Sequence, residues 1–197
     1  HLGEFYDNIF VRRRGDASSS GYPKANLKFK FNEAQDFLYR VGEDRVNEFN
    51  LNATWSDKSY IRRVLSWDTY RDAGSPYSLA FPMRIEQNGS FFSVAIFVEQ
   101  PDEDYFERQG LPEGGALYKM RTQLESTGGG TEKDTRQDED FSDLQALVGG
   151  VSPSNPNRGT FVFDNVDLPR MFNYLAASVI MHENDHMSKN YYMYRDR

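Results

Sequence analysis

The sequence predicts an α+β fold, with strands concentrated in the first part of the chain and helices in the last. Two observations carry this prediction. Asn26–Phe31 alternates polar and apolar side chains with a period of two, which is typical of a half-buried strand. Asp167, followed by Pro169, starts an apolar stretch with a helix N-cap signal that runs to about Met181. Because the two kinds of element are segregated, a repeating βαβ sheet is not expected.

Strands are predicted in pairs. Asn8–Arg13 and Asn26–Phe31 form a predicted hairpin with a long, Ser-rich connection. Leu79–Gln87 and Phe91–Gln100 form a second one, joined by Asn88-Gly89, the strongest short-range signal for a hairpin. Shorter strands are predicted at 49–51, 116–120 and 191–194.

Helices are predicted from caps and spacing. Asp57 is the predicted N-cap of a helix over Tyr60–Ala73 that ends at Gly74. A helix over Phe141–Val148 is expected to be closed by Gly149–Gly150. A short helix is predicted at 102–109. The chain therefore divides into a strand-rich part (1–125), a loop or insertion (126–165) that carries an acidic, solvated stretch, and a part with the last helix (166–197).

Composition excludes several classes of protein. A length of 197 residues fits one domain, and the net charge of -7 argues against a general nucleic-acid binder. There is no cysteine, which excludes disulfides, zinc-thiolate sites and thiol nucleophiles. No apolar run is long enough to predict a membrane span. The first residues lack the pattern of a signal peptide, so the sequence leaves the location open.

A short segment near the end of the chain carries two overlapping catalytic motifs. His182-Glu183-x-x-His186 matches the zinc-peptidase signature, in which two histidines one helical turn apart hold zinc and the glutamate activates water. A catalytic zinc needs a third protein ligand, and Tyr192 occupies the position where the extended motif has a histidine. Zinc peptidase is therefore the weaker interpretation.

The second motif is Asp185-x-x-x-x-Asn190. Protein kinases use this spacing to place a catalytic base and a metal ligand on a short loop around one phosphoryl group. An apolar helix before the motif and a predicted strand after it fit that context. The motif by itself is common, and both residues could simply cap and turn the chain after a helix.

The rest of the chain resembles the CotH kinase family from about Asn8 to Tyr194. The matching blocks follow in order: 9–15 with Ser18-Ser19-Ser20 and Pro23-Lys24, Leu51-Asn52, 57–62, Asn88-Gly89, 97–100, 117–119, and Asn184-Asp185 with Asn190. A single block is weakly specific, but the occurrence of all the blocks in the family's order is a strong signal. The resemblance implies a protein-kinase-like, two-lobed fold over one domain (1–197), with a strand-rich N-terminal part and a helical C-terminal part.

The resemblance also implies an activity. Members are atypical protein kinases, so it implies ATP with Mg²⁺ or Mn²⁺ as cofactors and phosphorylation of Ser or Thr in surface or coat proteins. The implied partners are a nucleotide and a protein with a Ser/Thr-rich segment. An extracellular, cell-surface or spore-surface location is implied as well. A non-catalytic scaffold module on the same fold stays open, as does transfer of AMP in place of phosphate.

Carried onto this sequence, the resemblance assigns site residues. Asp185 is the catalytic base and Asn190 a metal ligand. The phosphate-covering loop begins at Gly15, includes Ser18, Ser19 and Ser20, and ends at Gly21. Lys24 is the first candidate for the phosphate-binding lysine and Lys28 the second, while Glu99 and Gln100 are placed to meet the adenine. Asp57 and Arg62 form a predicted buried structural pair. The second metal-binding aspartate is expected after the strand that starts at Tyr191, beyond Arg197.

Overall fold

The computed structural model describes residues 1–15, 22–32, 34–124, 130–183 and 188–196. Within these residues there are eight strands and five helices. They fall into two compact units, the first made of residues 1–68 and 77–105 and the second of residues 69–76 and 106–197. The predicted α+β class is confirmed.

The first unit is built on a five-stranded antiparallel sheet with the order β1-β2-β3-β5-β4. The strands are β1 (Phe10–Arg14), β2 (Asn26–Lys30), β3 (Glu48–Asn52), β4 (Ala80–Gln87) and β5 (Ser90–Glu99). Asn88 and Gly89 have φ angles of 52° and 76°, the left-handed values that a two-residue hairpin turn requires. The hairpin predicted from this dipeptide is therefore confirmed.

One face of this sheet, the aromatic face, holds the core of the unit. Phe29, Phe49 and Phe97 come from neighbouring strands, and the Phe49 and Phe97 ring centroids lie 5.0 Å apart. Phe37 and Tyr39, from the segment before β3, are buried against them. Full burial of such a ring contributes about 1.5–3 kcal/mol, so this cluster is the main source of stability in the unit.

Two helices each contribute residues to both units. Helix α1 (Arg62–Asp72) begins two residues later than predicted, because Tyr60 has a left-handed φ of 58° that cannot continue into a helix. It ends before Gly74, whose φ of 72° agrees with the predicted stop. Helix α2 (Glu103–Gln109) is capped by Asp102, whose Oδ1 accepts the Tyr105 N–H at 3.1 Å.

The second unit contains a three-stranded antiparallel sheet, order β7-β6-β8, and three helices. The strands are β6 (Ala116–Met120), β7 (Glu132–Lys133) and β8 (Tyr191–Arg195); the helices are α3 (Ser142–Val151), α4 (Arg158–Asn165) and α5 (Leu168–Ile180). Asp167 accepts the Arg170 N–H at 3.1 Å, which confirms the predicted cap of α5. None of the helices in the described ranges is long and apolar enough to cross a bilayer.

Two predictions for this unit were wrong. Helix α3 continues through Gly149–Gly150, because Gly150 lets another element approach closely and does not end the helix. A Cβ on Gly150 would lie 2.2 Å from the Phe161 ring of α4. Helix α4 itself was assigned to a loop, and with β7 and α3 it gives the region 130–165 regular structure. The acidic side chains there are mostly exposed, as predicted, although Lys133 is buried and donates to the Asp140 carbonyl at 2.8 Å.

Candidate functional site

Over β1, β2 and β3 the other face of the sheet carries mostly polar side chains, and we call this part the polar face. Its polar side chains are those of Arg12, Arg14, Asn26, Lys28, Lys30, Glu48, Asn50 and Asn52. On β5 the same side of the sheet is apolar, with buried Ile96 and Val98 beside Asn52 and Asn50. Cross-strand pairing places Arg12 beside Lys28 and Lys28 beside Asn50, so these side chains point to one side. Four cations of β1 and β2 share this face with the carboxylate of Glu48, an arrangement that favours anionic ligands.

Lys28 and Glu48 form the central ion pair of the polar face. Lys28 Nζ contacts one Glu48 oxygen, and Lys30 Nζ lies 3.4 Å from the other. The Lys28 and Glu48 side chains are 19% and 17% exposed, whereas that of Lys30 is 57% exposed. Because Lys28 is screened less by water, its position is held more firmly than that of Lys30.

Lys24, the first candidate for the phosphate lysine, is engaged elsewhere in the same unit. Its Nζ donates to the Val94 carbonyl of β5, and it lies 5.0 Å from the centre of the Tyr60 ring. Lys24 therefore anchors the start of β2 to β5. The structure thus makes the second candidate, Lys28, the better placed of the two for a ligand on the polar face.

The predicted phosphate-covering loop is described only at its edges. Gly15 follows β1 directly and has a φ of 89°, a conformation that an L side chain rarely adopts. The chain therefore turns out of β1 at the position that the resemblance assigns to the loop. Ser18, Ser19 and Ser20 lie outside the described residues, so their assignment stays a prediction.

Glu99 and Gln100 follow different paths at the end of β5. Glu99 lies on the aromatic face opposite Phe49 and is 4% exposed. Its Oε2 accepts the Leu79 N–H at 2.9 Å, so its carboxylate holds the chain in place before β4. Gln100 is half-buried, and its Oε1 accepts the Asn50 Nδ2 at 3.0 Å. Of the two predicted base contacts, Gln100 is the one connected to the polar face.

Asp102 is an acid whose titration the fold shifts strongly. Burial, together with the nearby carboxylates of Asp104, Glu99 and Glu48, raises the pKa of Asp102 to about 7. Its hydrogen bond from the Tyr105 N–H acts in the opposite direction, but burial outweighs it. At neutral pH this carboxyl is therefore protonated in a large fraction of molecules.

The predicted catalytic segment belongs to the second unit and is described in part. Asn190 directly precedes β8 and has a left-handed φ of 60°. Asp185 and His186 lie outside the described residues. Helix α5 ends at Ile180, and His182 has a φ of 53°. The zinc interpretation needs His182 and His186 on one continuous helix, and the left-handed His182 contradicts a helix running on from α5.

The prediction that Asp57 and Arg62 form a buried pair is correct for the burial of Asp57 and wrong for that of Arg62. Asp57 is 7% exposed, and its carboxylate accepts N–H groups of Ser59 and Arg62, each at 3.0 Å. These hydrogen bonds and that of the Ser59 hydroxyl lower the pKa of Asp57. The Arg62 side chain is 82% exposed and its Nε is 3.8 Å from Asp57. Asp57 thus holds the backbone at the start of α1, and the guanidinium contributes little.

A cavity of about 240 Å³ lies in the second unit, and none of the predicted site residues lines it. Its walls include Arg136, Glu139, Asp143 and Arg195. Arg136 is paired with Glu139, and Arg195 Nη1 lies 3.9 Å from Asp143 Oδ2. The lining also includes Asp140 and Asp196, so four carboxylates face two guanidinium groups and the cavity has a net negative charge, which does not suit an anionic ligand.

Sequence reasoning missed Glu48, Asn50 and Asp102. A signal was present for the first two, because Glu48-Phe49-Asn50-Leu51-Asn52 alternates polar and apolar residues. Period-two alternation usually indicates a solvated face, yet Asn50 and Asn52 are 2% and 8% exposed. Their burial, which sequence does not show, is what marks this face as unusual.

Comparisons with known proteins agree with the resemblance. The family model described as CotH kinase protein matches residues 11–197. The inner spore coat protein H of Bacillus subtilis (strain 168) is 27% identical over 167 residues, a match that covers 76% of this chain and 45% of that relative. The chain thus spans less than half the length of this curated relative.

Proposed function

The chain belongs to the CotH kinase protein family, and from this membership we propose that it is an ATP- and divalent-metal-dependent phosphotransferase acting on Ser or Thr of coat proteins. The observation that carries the proposal is the Lys28–Glu48 ion pair on the polar face. Protein kinases hold the phosphates of ATP with a strand lysine that is itself positioned by a glutamate. In this chain the glutamate comes from the neighbouring strand β3.

The polar face fits a nucleotide polyphosphate. Lys28, Lys30 and Arg12 supply positive charge, and Glu48 positions two of the three. Gly15, with its left-handed φ, follows β1 at the end of the hairpin, and backbone N–H groups of the proposed loop would donate hydrogen bonds to phosphate oxygens. This combination supports binding of a triphosphate along the β1–β2 hairpin.

Fewer observations support the proposed metal site than support the proposed phosphate site. Asn190 offers an amide oxygen, a ligand that Mg²⁺ accepts. In the described parts of the chain, no group of three or more His, Cys, Asp or Glu side chains is arranged to hold a metal ion. The proposed base, Asp185, lies outside these residues. When bound, a divalent ion neutralises charge on the phosphates.

In the proposed reaction, the hydroxyl oxygen of the substrate Ser or Thr forms a bond to the γ-phosphorus of ATP. The bond between that phosphorus and the bridging oxygen of ADP breaks, and ADP leaves. The hydroxyl proton passes to the carboxylate of Asp185. Lys28 stays on the phosphates throughout, where it stabilises the charge that spreads over the oxygens.

Nucleotide binding is tested with Lys28→Met. Lys30→Met is the matched control, because Lys30 lies on the same strand and also pairs with the Glu48 carboxylate. Removal of a charge-assisted hydrogen bond of about 1.5–3 kcal/mol should weaken ATP binding roughly tenfold or more. The exposed Lys30 should change it less than about threefold. Isothermal titration calorimetry measures both. Equal losses in the two variants would mean that only general positive charge attracts the nucleotide.

Transfer is tested by intact-mass spectrometry of the chain and a Ser/Thr-rich peptide incubated with ATP and Mg²⁺ or Mn²⁺. A phosphoryl-sized gain that Asp185→Asn abolishes supports the proposal. An AMP-sized gain keeps the nucleotide site and changes the reaction class. A folded chain that neither binds ATP nor gains mass favours the second candidate, a non-catalytic coat scaffold, which is consistent with the name of the Bacillus subtilis relative.

A further inference from the structure

Strand β1 forms one edge of the five-stranded sheet, and its outer side is open. It pairs with β2 alone, in a continuous register from Phe10↔Lys30 to Arg14↔Asn26. The backbone N–H and C=O groups that point away from β2 therefore have no strand partner among the described residues. Four of the five residues of β1 are exposed. Such an edge is a template on which an extended chain can add a further strand.

The opposite edge of the sheet, β4, carries features that oppose such pairing. Pro82 has no N–H to donate, and the register with β5 is irregular between Ile85 and Glu86. The charge of Arg84 is balanced by Glu86, since Arg84 Nε donates to Glu86 Oε1 at 3.1 Å. Strand β1 has neither a proline nor an irregular register. The two edges of one sheet thus differ in whether they can accept a strand.

Strand β1 is also strongly basic, in a chain whose net charge is -7. Arg12, Arg13 and Arg14 follow one another, so their side chains alternate between the two faces of the sheet. Neither Arg12 nor Arg13 forms an ion pair with a carboxylate among the described residues. A guanidinium group binds a carboxylate through two parallel hydrogen bonds, whereas the lysines that commonly protect an edge act as point charges. The arginines therefore suit a partner that brings carboxylates to both faces.

The order of residues along β1 determines the order that its partner needs. Phe10 and Val11 are apolar, 61% and 47% exposed, and precede the three arginines. Every neighbouring pair of strands in this sheet is antiparallel. An antiparallel addition runs in the opposite direction, so three acidic residues come first in the partner and two apolar residues follow. Residues directly opposite one another then interact, with Cβ atoms about 4.5–5.5 Å apart.

We propose that β1 binds an extended acidic segment of another protein as a sixth, antiparallel strand, with the second of three acidic residues opposite Arg13. A second copy of this chain cannot use its own β1, because the arginines of the two strands would repel one another. Asp138-Glu139-Asp140-Phe141 resembles the pattern. In that segment, however, Arg136 pairs with Glu139, and Phe141 packs against the core of the second unit. The inference does not depend on nucleotide binding.

The first test measures binding of a fluorescein-labelled peptide with the core Glu-Glu-Glu-Val-Phe, by anisotropy at about 0.1 M salt. The matched control has the same composition in the reversed order, Phe-Val-Glu-Glu-Glu. The forward peptide should bind at least about fivefold more tightly, because only it pairs acids with arginines in the antiparallel direction. Equal binding would mean a general attraction of negative charge, and it would overturn the proposal. So would the absence of binding up to about 1 mM peptide.

Charge reversal at Arg13 tests the register. Arg13 is exposed and lies on the opposite side of β1 from Arg12, so Arg13→Glu should fold and leave nucleotide binding unchanged. It should weaken binding of the forward peptide about threefold to tenfold. A peptide with lysine as its second residue should restore binding to this variant. A peptide with lysine as its third residue has the same charge and should restore it less, and equal restoration would overturn the register.

Peptides that are N-methylated on alternate residues test the backbone pairing. In a strand, alternate N–H groups point to the same edge, so one set of methyl groups would face β1 and the other set would face solvent. One of the two peptides should therefore lose binding while the other retains it. If both bind as well as the parent peptide, side chains alone mediate the contact. That result, or a loss of binding by both peptides, would overturn the added strand.

Discussion

Alternate residues of the same strands form the two faces of the five-stranded sheet, and the two faces have different roles. In β3, Phe49 packs in the aromatic cluster while Asn50 lies on the polar face with an unsatisfied oxygen. The rings of the aromatic face pack against one another. The polar face instead buries the Asn50 amide, whose Oδ1 has no donor among the described residues. The first arrangement contributes stability, and the second reduces it.

The largest effect should come from the aromatic face. Phe49 stacks near Phe29, Phe31, Phe37 and Phe97, so Phe49→Ala should leave a cavity that its neighbours cannot fill. We expect a loss of about 3–5 kcal/mol in the free energy of unfolding, measured by urea denaturation. A loss below about 1 kcal/mol would mean that this face is not the source of stability.

An intermediate effect, dependent on pH, should come from Asp102. Burial raises its pKa from 3.8 to about 7, so the folded state retains a proton that the unfolded chain has released. Its contribution to stability is therefore present below about pH 4 and is lost as the pH rises towards 7. Asp102→Asn keeps the acceptor for the Tyr105 N–H and removes this dependence.

The expected gain for Asp102→Asn is a few kcal/mol at most at pH 8 and close to zero at pH 4, measured by urea denaturation across that range. Glu103→Gln is the matched control, because it removes the same charge from an exposed position in α2. If both variants give the same pH profile of stability, the change in net charge and not the burial of Asp102 causes the pH dependence.

The smallest effect should come from the rim of the polar face. Lys30 is 57% exposed and 3.4 Å from Glu48, so Lys30→Met should change the free energy of unfolding by no more than about 0.5 kcal/mol at moderate salt. Thermal denaturation at low and high salt checks this. A loss above about 1 kcal/mol that salt does not reduce would contradict the expectation that the Lys30–Glu48 pair contributes little to stability.

Local signals in the sequence predicted much of the fold. The Asn88-Gly89 turn, the Asp167 cap and the alternation of β2 each depend on a few neighbouring residues, and all three are confirmed. The pair Gly149–Gly150 was misread because a glycine that ends a helix and one that admits a neighbour look the same in sequence. Only Phe161, which packs against Gly150, distinguishes them.

The candidate site was less predictable than the fold, because its residues act through contacts between strands. Lys28 was named, but the Glu48 that positions it comes from β3 and was not. Glu99 was assigned to the base, yet its carboxylate is held by the Leu79 N–H. Burial of Asn50 depends on the whole sheet, and one strand pattern does not reveal it. The roles of Asp185 and the three serines stay predictions.

The Asn88-Gly89 turn also has a chemical consequence over time. Its backbone N–H at Gly89 is unhindered by a side chain, so the nitrogen can attack the Asn88 amide, release ammonia and form a cyclic imide. Hydrolysis of that imide yields aspartate or isoaspartate, and the latter inserts an extra carbon into the main chain. Because β4 and β5 are paired from Gln87–Ser90 onward, such ageing would begin at the tip of the hairpin and loosen its register from that end.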